Sequence, residues 1–133
     1  MYSKFGQFID GRWQASSNKE TYEVINPATE EVIGKASKAT SVDVEKALKS
    51  AAKGFEVWKK IKPWERSKII RKIADEIRKK SKIFAKWMTL ETGKTLAEGE
   101  AETAAAADIF EWNAEETKRI YGQSLQSRFD KTK

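Results

Sequence analysis

The first forty residues contain short apolar runs separated by turn-forming residues, which favours β-strands. Phe8–Trp13 places Asp-Gly between apolar residues, and this pair favours a two-residue hairpin because both turn positions take a positive φ. Farther along, Tyr22–Ile25 and Glu31–Ala36 flank Asn26–Glu30, whose proline favours a second turn. The pattern predicts two short β-hairpins within residues 1–38.

From residue 40 onward, apolar side chains recur every three or four positions, which predicts amphipathic helices. The apolar face of the first helix consists of Val44, Ala47, Leu48, Ala51, Phe55 and Trp58. The second helix begins at Pro63, and its apolar stripe consists of Ile69, Ile70, Ile73 and Ile77. The third helix has an apolar face made of Ile83, Phe84, Trp87 and Met88.

Residues typical of helix ends mark the boundaries of these three helices. Thr40 or Ser41 is predicted to cap the first helix, because a hydroxyl can accept a hydrogen bond from a free backbone N–H. Ser81 is predicted to cap the third helix in the same way. Gly93 suits the end of the third helix, since glycine readily takes the left-handed conformation found there.

A fourth and longer helix is predicted near the end of the chain. Thr95 and Glu98 form a capping box at its start, and the helix is expected to run to Tyr121, with Gly122 as its stop. Ala104–Ala107 lies inside it, and such small side chains permit a neighbouring backbone to approach closely or simply favour helix.

The 133 residues include neither cysteine nor histidine. Disulfides and thiolate metal sites are therefore excluded, and the commonest general base near neutral pH is absent. No stretch approaches the roughly 20 apolar residues that a membrane span needs, and the N-terminus does not resemble a secretory signal. We expect a cytoplasmic protein without membrane contact. Abundant Lys, Glu and Ile favour a thermophilic source.

The net charge of +6 is unevenly distributed. Lys59–Lys86 contains twelve basic residues against three acidic ones, whereas Met88–Gly122 contains eight acidic residues against three basic ones. A basic block is compatible with nucleic-acid binding. The alternative, which we favour because no nucleic-acid motif accompanies the charge, is a pair of oppositely charged helices that have solvated faces or face each other.

Candidate chemical motifs in the helical region have simpler structural explanations. A phosphate loop at Gly93 would need a second glycine where Met88 stands, and no dinucleotide-binding fingerprint occurs. Trp112 is expected to pack on a helix face rather than line a tunnel, and we expect the other four tryptophans to lie in a core or an interface. The helical carboxylates are expected to form a solvated face without a metal: Glu98, Glu100, Glu102, Glu111, Glu115 and Glu116.

Five segments, taken in order, resemble the N-terminal portion of the aldehyde dehydrogenase superfamily. They are Phe8–Trp13, Val24–Glu30, Ala51–Trp58, Glu91–Lys94 and Phe110–Gly122. The last of them is most similar to the succinate-semialdehyde dehydrogenase branch. The resemblance implies that this chain corresponds to about the first quarter of such an enzyme.

In that family, a cysteine thiolate attacks an aldehyde, NAD or NADP takes up hydride, and a glutamate activates water. The resemblance implies that these groups lie beyond this chain, so no catalytic or cofactor-binding residue is assigned here. It also implies a substrate-tunnel face at Ala105, Ile109 and Asn113 in a full-length parent. A strand of a later oligomerisation sheet would begin near Arg128–Phe129.

The expected fold class is therefore α+β and mostly helical. Two hairpins within residues 1–38 precede about four helices within residues 40–122, and residues 123–133 form a tail. Together, residues 1–133 would make a single truncated N-terminal segment of the family's fold, without its Rossmann sheet.

The first functional hypothesis is a non-catalytic scaffold, either a fragment or the product of a truncated gene. It would form homo-oligomers through exposed helix faces or bind the missing C-terminal part of the dehydrogenase. The second hypothesis is an interaction module that complements or regulates a separately encoded dehydrogenase part. The third is nonspecific nucleic-acid binding through Lys59–Lys86.

Overall fold

A computed structural model describes residues 6–122 of the chain. The elements, in chain order, are β1 (Gln7–Ile9), β2 (Arg12–Gln14), β3 (Thr21–Ile25), β4 (Val32–Ser37), α1 (Ser41–Trp58), α2 (Pro63–Lys79), α3 (Ser81–Thr92), α4 (Leu96–Glu116) and a 3-10 turn (Thr117–Arg119). The expected α+β class, with two hairpins followed by four helices, is confirmed. The predicted tail, residues 123–133, and the strand expected within it lie outside the described residues.

The strands form two separate two-stranded antiparallel sheets. In the first, Asp10 and Gly11 both take positive φ angles, 55° and 73°, as the predicted hairpin turn requires. Phe8 lies opposite Trp13, and the centroids of their rings are 5.1 Å apart. In the second hairpin, the Asn26 side chain accepts a hydrogen bond from the turn, which fixes the reversal between β3 and β4.

Most of the predicted helix boundaries are confirmed. Thr40 caps α1, Thr95 and Glu98 form the capping box of α4, and Gly93 ends α3 in the left-handed conformation with φ 74°. The prediction that Ser81 caps α3 is wrong, because Ser81 is already the first helical residue. Lys80 is the only residue between α2 and α3, and its backbone N–H bonds back to α2, so no extended capping residue fits there.

The prediction that the fourth helix runs to Tyr121 is also wrong. The α-helix ends at Glu116, and a 3-10 turn follows before Ile120 leaves helical geometry with ψ 84°. The hydroxyl of Thr117 donates a 2.8 Å hydrogen bond to the carbonyl of Asn113. Such a bond one turn back competes for a helical carbonyl, and helices commonly tighten into 3-10 geometry at their ends.

The core lies among α2, α3 and α4 and is built from small side chains. Its fully buried hydrophobic residues are Ala74, Ala85, Ala107 and Ala114. At Gly99 of α4, an added Cβ would lie only 2.8 Å from the Ala85 carbonyl oxygen of α3. The two backbones are therefore nearly in contact, and the larger apolar side chains lie at the margins of this bundle rather than in its centre.

Candidate functional site

The outer face of α4, turned away from α2 and α3, holds the three residues of the predicted tunnel face. Ala105, Ile109 and Asn113 are all exposed, and 62% of Ile109 is accessible. The side-chain amide of Asn113 donates a 2.8 Å hydrogen bond to the Ile109 carbonyl. The structure therefore brings the three residues onto one exposed surface, where one donor of the Asn113 amide is already used within the helix.

Trp112 lies beside these residues and is 70% exposed. The prediction that Trp112 packs on a helix face is therefore wrong within the described chain. Trp13 and Trp64 are also more than half exposed, so they are not core residues either. An exposed tryptophan offers a large apolar surface with a polar tip, which is typical of a contact site for another molecule or domain.

The apolar face of α1 is similarly uncovered. Val44, Leu48 and Phe55, predicted to share one face, are 49%, 59% and 61% exposed. Their spacing of four and seven residues places them on one side of the helix. Among the described elements, α1 contacts mainly β1, so this face is free to meet a further surface.

A hydrogen-bond cluster at the start of α1 fixes the helix to the preceding chain. The buried Asp43 carboxylate accepts bonds from the backbone N–H groups of Ser17 and Thr40, at 3.1 and 3.0 Å. These bonds, led by the one from Thr40, hold the Asp43 pKa far below its usual range. The cluster therefore holds the start of α1 against the chain around Ser17.

The basic and acidic segments of the sequence face each other across α2 and α4. Arg78 of α2 bonds to Asp108 at 2.9 Å and to Glu111 at 2.6 Å, and Arg71 bonds to Glu111 and Glu115. The pKa of Glu111 is held below its usual range, with Arg78 as the largest cause. For Arg71 and Arg78, the structure thus supports the explanation that the basic helix and the acidic helix face each other.

The acidic residues of α4 have structural partners rather than the arrangement of an acid–base pair. Glu98 caps the helix, and its bonds with Thr95 lower its pKa. Glu102 bonds to Lys94 at 2.6 Å, and Glu116 bonds to Arg119. Within residues 6–122, no cluster of three or more acidic side chains is arranged to hold a metal ion. No helix in the same span is both long and apolar enough to cross a membrane.

Exposed helix faces were expected from the resemblance to a longer enzyme, although the spacing of apolar residues by itself shows only that they share a face and not what covers it. Sequence reasoning missed the close approach at Gly99. Its only signal in the sequence is a glycine inside an otherwise strong helix pattern, which often has a packing reason.

Comparison with protein families matches residues 13–133 to the model described as the aldehyde dehydrogenase family. Glutarate-semialdehyde dehydrogenase of Pseudomonas putida is 39% identical over 118 residues, which are 89% of this chain and 25% of that protein. Succinate-semialdehyde dehydrogenase [NADP(+)] 2 of Schizosaccharomyces pombe is 34% identical over 125 residues, which are 91% of this chain and 25% of that protein.

Solved structures give the same result for the fold. Betaine aldehyde dehydrogenase of Staphylococcus aureus, solved in complex with NAD+, superposes with a TM-score of 0.86 at 35% identity, over 92% of this chain and 25% of that one. An NADP-dependent enzyme of Escherichia coli gives a TM-score of 0.87 at 34% identity, with the same two coverages. This chain thus spans about a quarter of the length of the proteins it matches.

Proposed function

The chain belongs to the aldehyde dehydrogenase family, and we propose that it is a non-catalytic N-terminal scaffold segment of such an enzyme. Because it spans about a quarter of its curated relatives, oxidation of a semialdehyde with NAD or NADP is proposed only for a whole protein that contains this segment. The chain has no cysteine, the residue that forms the covalent intermediate in the family. Its own contribution would be to position and cover other parts of the enzyme.

The observation that supports a scaffold role is the contrast between core and surface. The fully buried hydrophobic residues of the described chain are alanines, whereas Phe55, Trp64 and Trp112 are each more than 60% exposed. Burying such side chains stabilises a fold by about 25 cal/mol for each Å² removed from water. Exposed apolar faces stabilise a protein when another apolar surface covers them. We therefore propose that the role of these faces is to bind such a surface.

Two partners fit this proposal. In a whole dehydrogenase, the remainder of the enzyme would cover the face of α1, and the α4 face with Ala105, Ile109 and Asn113 would border the substrate tunnel. In the isolated chain, a second copy would cover the same faces and produce a homo-oligomer. The exposed faces equally favour a second candidate function, an interaction module for a separately encoded dehydrogenase part.

Mixing experiments test these functions. The purified chain is mixed with the remainder of a family dehydrogenase that lacks the matching segment, and NAD(P)H absorbance is followed with a semialdehyde substrate. We expect no turnover from the chain alone and a gain when it is added to the remainder. Phe55→Ser, on the apolar face of α1, should reduce the gain, whereas Lys53→Ser in the same turn of α1 should not.

Each result bears on a different part of the proposal. Cofactor-dependent oxidation by the chain alone would overturn the non-catalytic assignment. A mixture no more active than the remainder alone would rule out complementation. Sedimentation that shows a stable monomer at high micromolar concentration would count against self-association.

A further inference from the structure

An open apolar groove runs along one side of α2, next to the start of α3. It measures about 450 Å³, and its lining consists of Ile69, Lys72, Ile73, Glu76, Ile77, Lys80 and Phe84. Ile69 and Ile73 are 43% and 42% exposed, so the apolar floor is accessible. The groove lies on the opposite flank of α2 from Arg71 and Arg78, which bond to α4.

The rim of the groove is basic. Lys72 makes no ion pair with any residue between 6 and 122, and Glu76 is shared between Lys79 and Lys80 at 3.6 and 3.1 Å. Helix α2 as a whole contains six basic and three acidic residues. Two such helices brought together would repel each other, so the groove favours an occupant of opposite charge.

Helix α4 has the opposite character. It contains seven acidic residues and neither lysine nor arginine. Its outer face presents the apolar side chains of Ile109 and Trp112 beside the small Ala105. The neighbouring Asp108 bonds to Arg78 but keeps 74% of its side chain exposed, and Glu116 bonds to Arg119. An exposed helix with an apolar stripe and acidic margins is the kind of ligand that an apolar groove with a basic rim accepts.

We propose that the α2 groove of one copy binds the outer face of α4 from a second copy. This inference rests on the self-association in the proposed function and specifies its surfaces. The charges disfavour the two symmetric arrangements, α2 on α2 and α4 on α4, because each brings together two helices of the same net charge. The contact is therefore heterologous, joining different surfaces of two copies, and it leaves a free groove at one end and a free α4 face at the other.

Two complementary variants test the proposal by sedimentation velocity. Ile73→Glu puts a carboxylate in the groove and keeps α4 intact, whereas Ile109→Lys puts a cation on the α4 face and keeps the groove intact. We expect each variant alone to associate roughly tenfold or more weakly than the unaltered chain. An equimolar mixture should form a one-to-one dimer, because one intact groove and one intact α4 face remain.

Val57→Glu, at an exposed position of α1 outside both surfaces, is the matched control and should associate like the unaltered chain. Circular dichroism serves to check that each variant keeps its helices. The inference is overturned if both groove and α4 variants still associate normally, or if they are monomeric and their mixture stays monomeric. An unaltered chain that is itself monomeric would contradict the proposed self-association, whereas complementation of a dehydrogenase remainder would stand independently.

Discussion

Asp43 ties the start of α1 to the chain around Ser17. Its carboxylate accepts hydrogen bonds from the backbone and hydroxyl groups of Ser17 and Thr40, and it completes the capping box of α1. The sequence predicted a cap at Thr40 or Ser41. It could not reveal that Ser17, far away in the chain, would bond to the same carboxylate.

The low pKa of Asp43 makes its contribution to stability dependent on pH. A carboxyl group whose pKa is depressed by folding stabilises the native state above its unfolded pKa of about 3.9, and the stabilisation is lost as the pH falls below that value. We expect Asp43→Asn to lower the free energy of unfolding at pH 7. The difference from the unaltered chain should shrink between about pH 4 and pH 2, as measured by urea unfolding across this range.

Thr40→Ser is the control for this experiment, since serine also supplies a hydroxyl and a backbone N–H. It should keep the pH dependence of the unaltered chain. A difference between Asp43→Asn and the unaltered chain that stays constant down to pH 2 would show that the charge of Asp43 has no part in its effect.

At the scale of elements, the pairing of α2 with α4 joins a basic helix to an acidic one. The sequence indicated opposite charge in the two segments, and the structure shows the contact through Arg71 and Arg78. These side chains are about 40% exposed, so solvent and salt screen their interactions. These ion pairs fix the register of the two helices more than they stabilise the fold.

Reversing one charge of this pairing should weaken it and reversing both should restore it. Arg78→Glu places a third carboxylate beside Asp108 and Glu111, so we expect a Tm lower by several degrees at low salt. Combining it with Asp108→Arg should recover part of the loss, because Asp108 bonds to Arg78 and to no other cation among the described residues. Thermal unfolding at low micromolar concentration measures the Tm of the single and the double variant. Rising salt should reduce the loss of Tm in the single variant.

Lys72→Glu is the matched control, because Lys72 lies on the same helix and makes no ion pair among the described residues. It should change the Tm much less than Arg78→Glu. Equal losses in the two variants, or no recovery in the double variant, would show that the α2–α4 contact does not depend on these charges.

At the scale of the whole molecule, a small core supports a large apolar surface. The helices approach closely at Gly99 and Ala85, but among residues 6–122 the buried hydrophobic residues are only alanines. Removing little apolar surface from water gives little stabilisation, so we expect the monomer to be weakly stable and to gain stability from any partner that binds its folded form.

The urea dependence of unfolding reports the size of the buried core, because the m-value scales with the surface exposed on unfolding. For the monomer at low micromolar concentration, we expect an m-value of about 1 kcal/mol/M, at the lower end of the range for small proteins. A value near 3 kcal/mol/M would indicate a much larger buried core than the described residues contain.

The family and the order of elements were predicted from the sequence and are confirmed. The confirmed signals are local, because each depends on residues only a few positions away in the chain. They are the hairpin turns, the Thr95–Glu98 capping box and the helix end at Gly93. The prediction for Ser81 failed because only Lys80 separates α3 from α2. The prediction for the end of α4 failed because Thr117 bonds back to the Asn113 carbonyl and the chain tightens into a 3-10 turn. The tunnel face at Ala105, Ile109 and Asn113 stays a prediction.

The set of helices and strands, and the face of each helix that is apolar, therefore follow from the sequence, because periodicity and capping depend on near neighbours. Which of those faces are covered follows from the tertiary structure. Burial depends on what lies opposite in space, and α4 meets α2 and α3 on one side, while the apolar side chains on the α1 face and on outer α4 stay largely exposed among residues 6–122. Those uncovered faces are the basis of the proposed scaffold function.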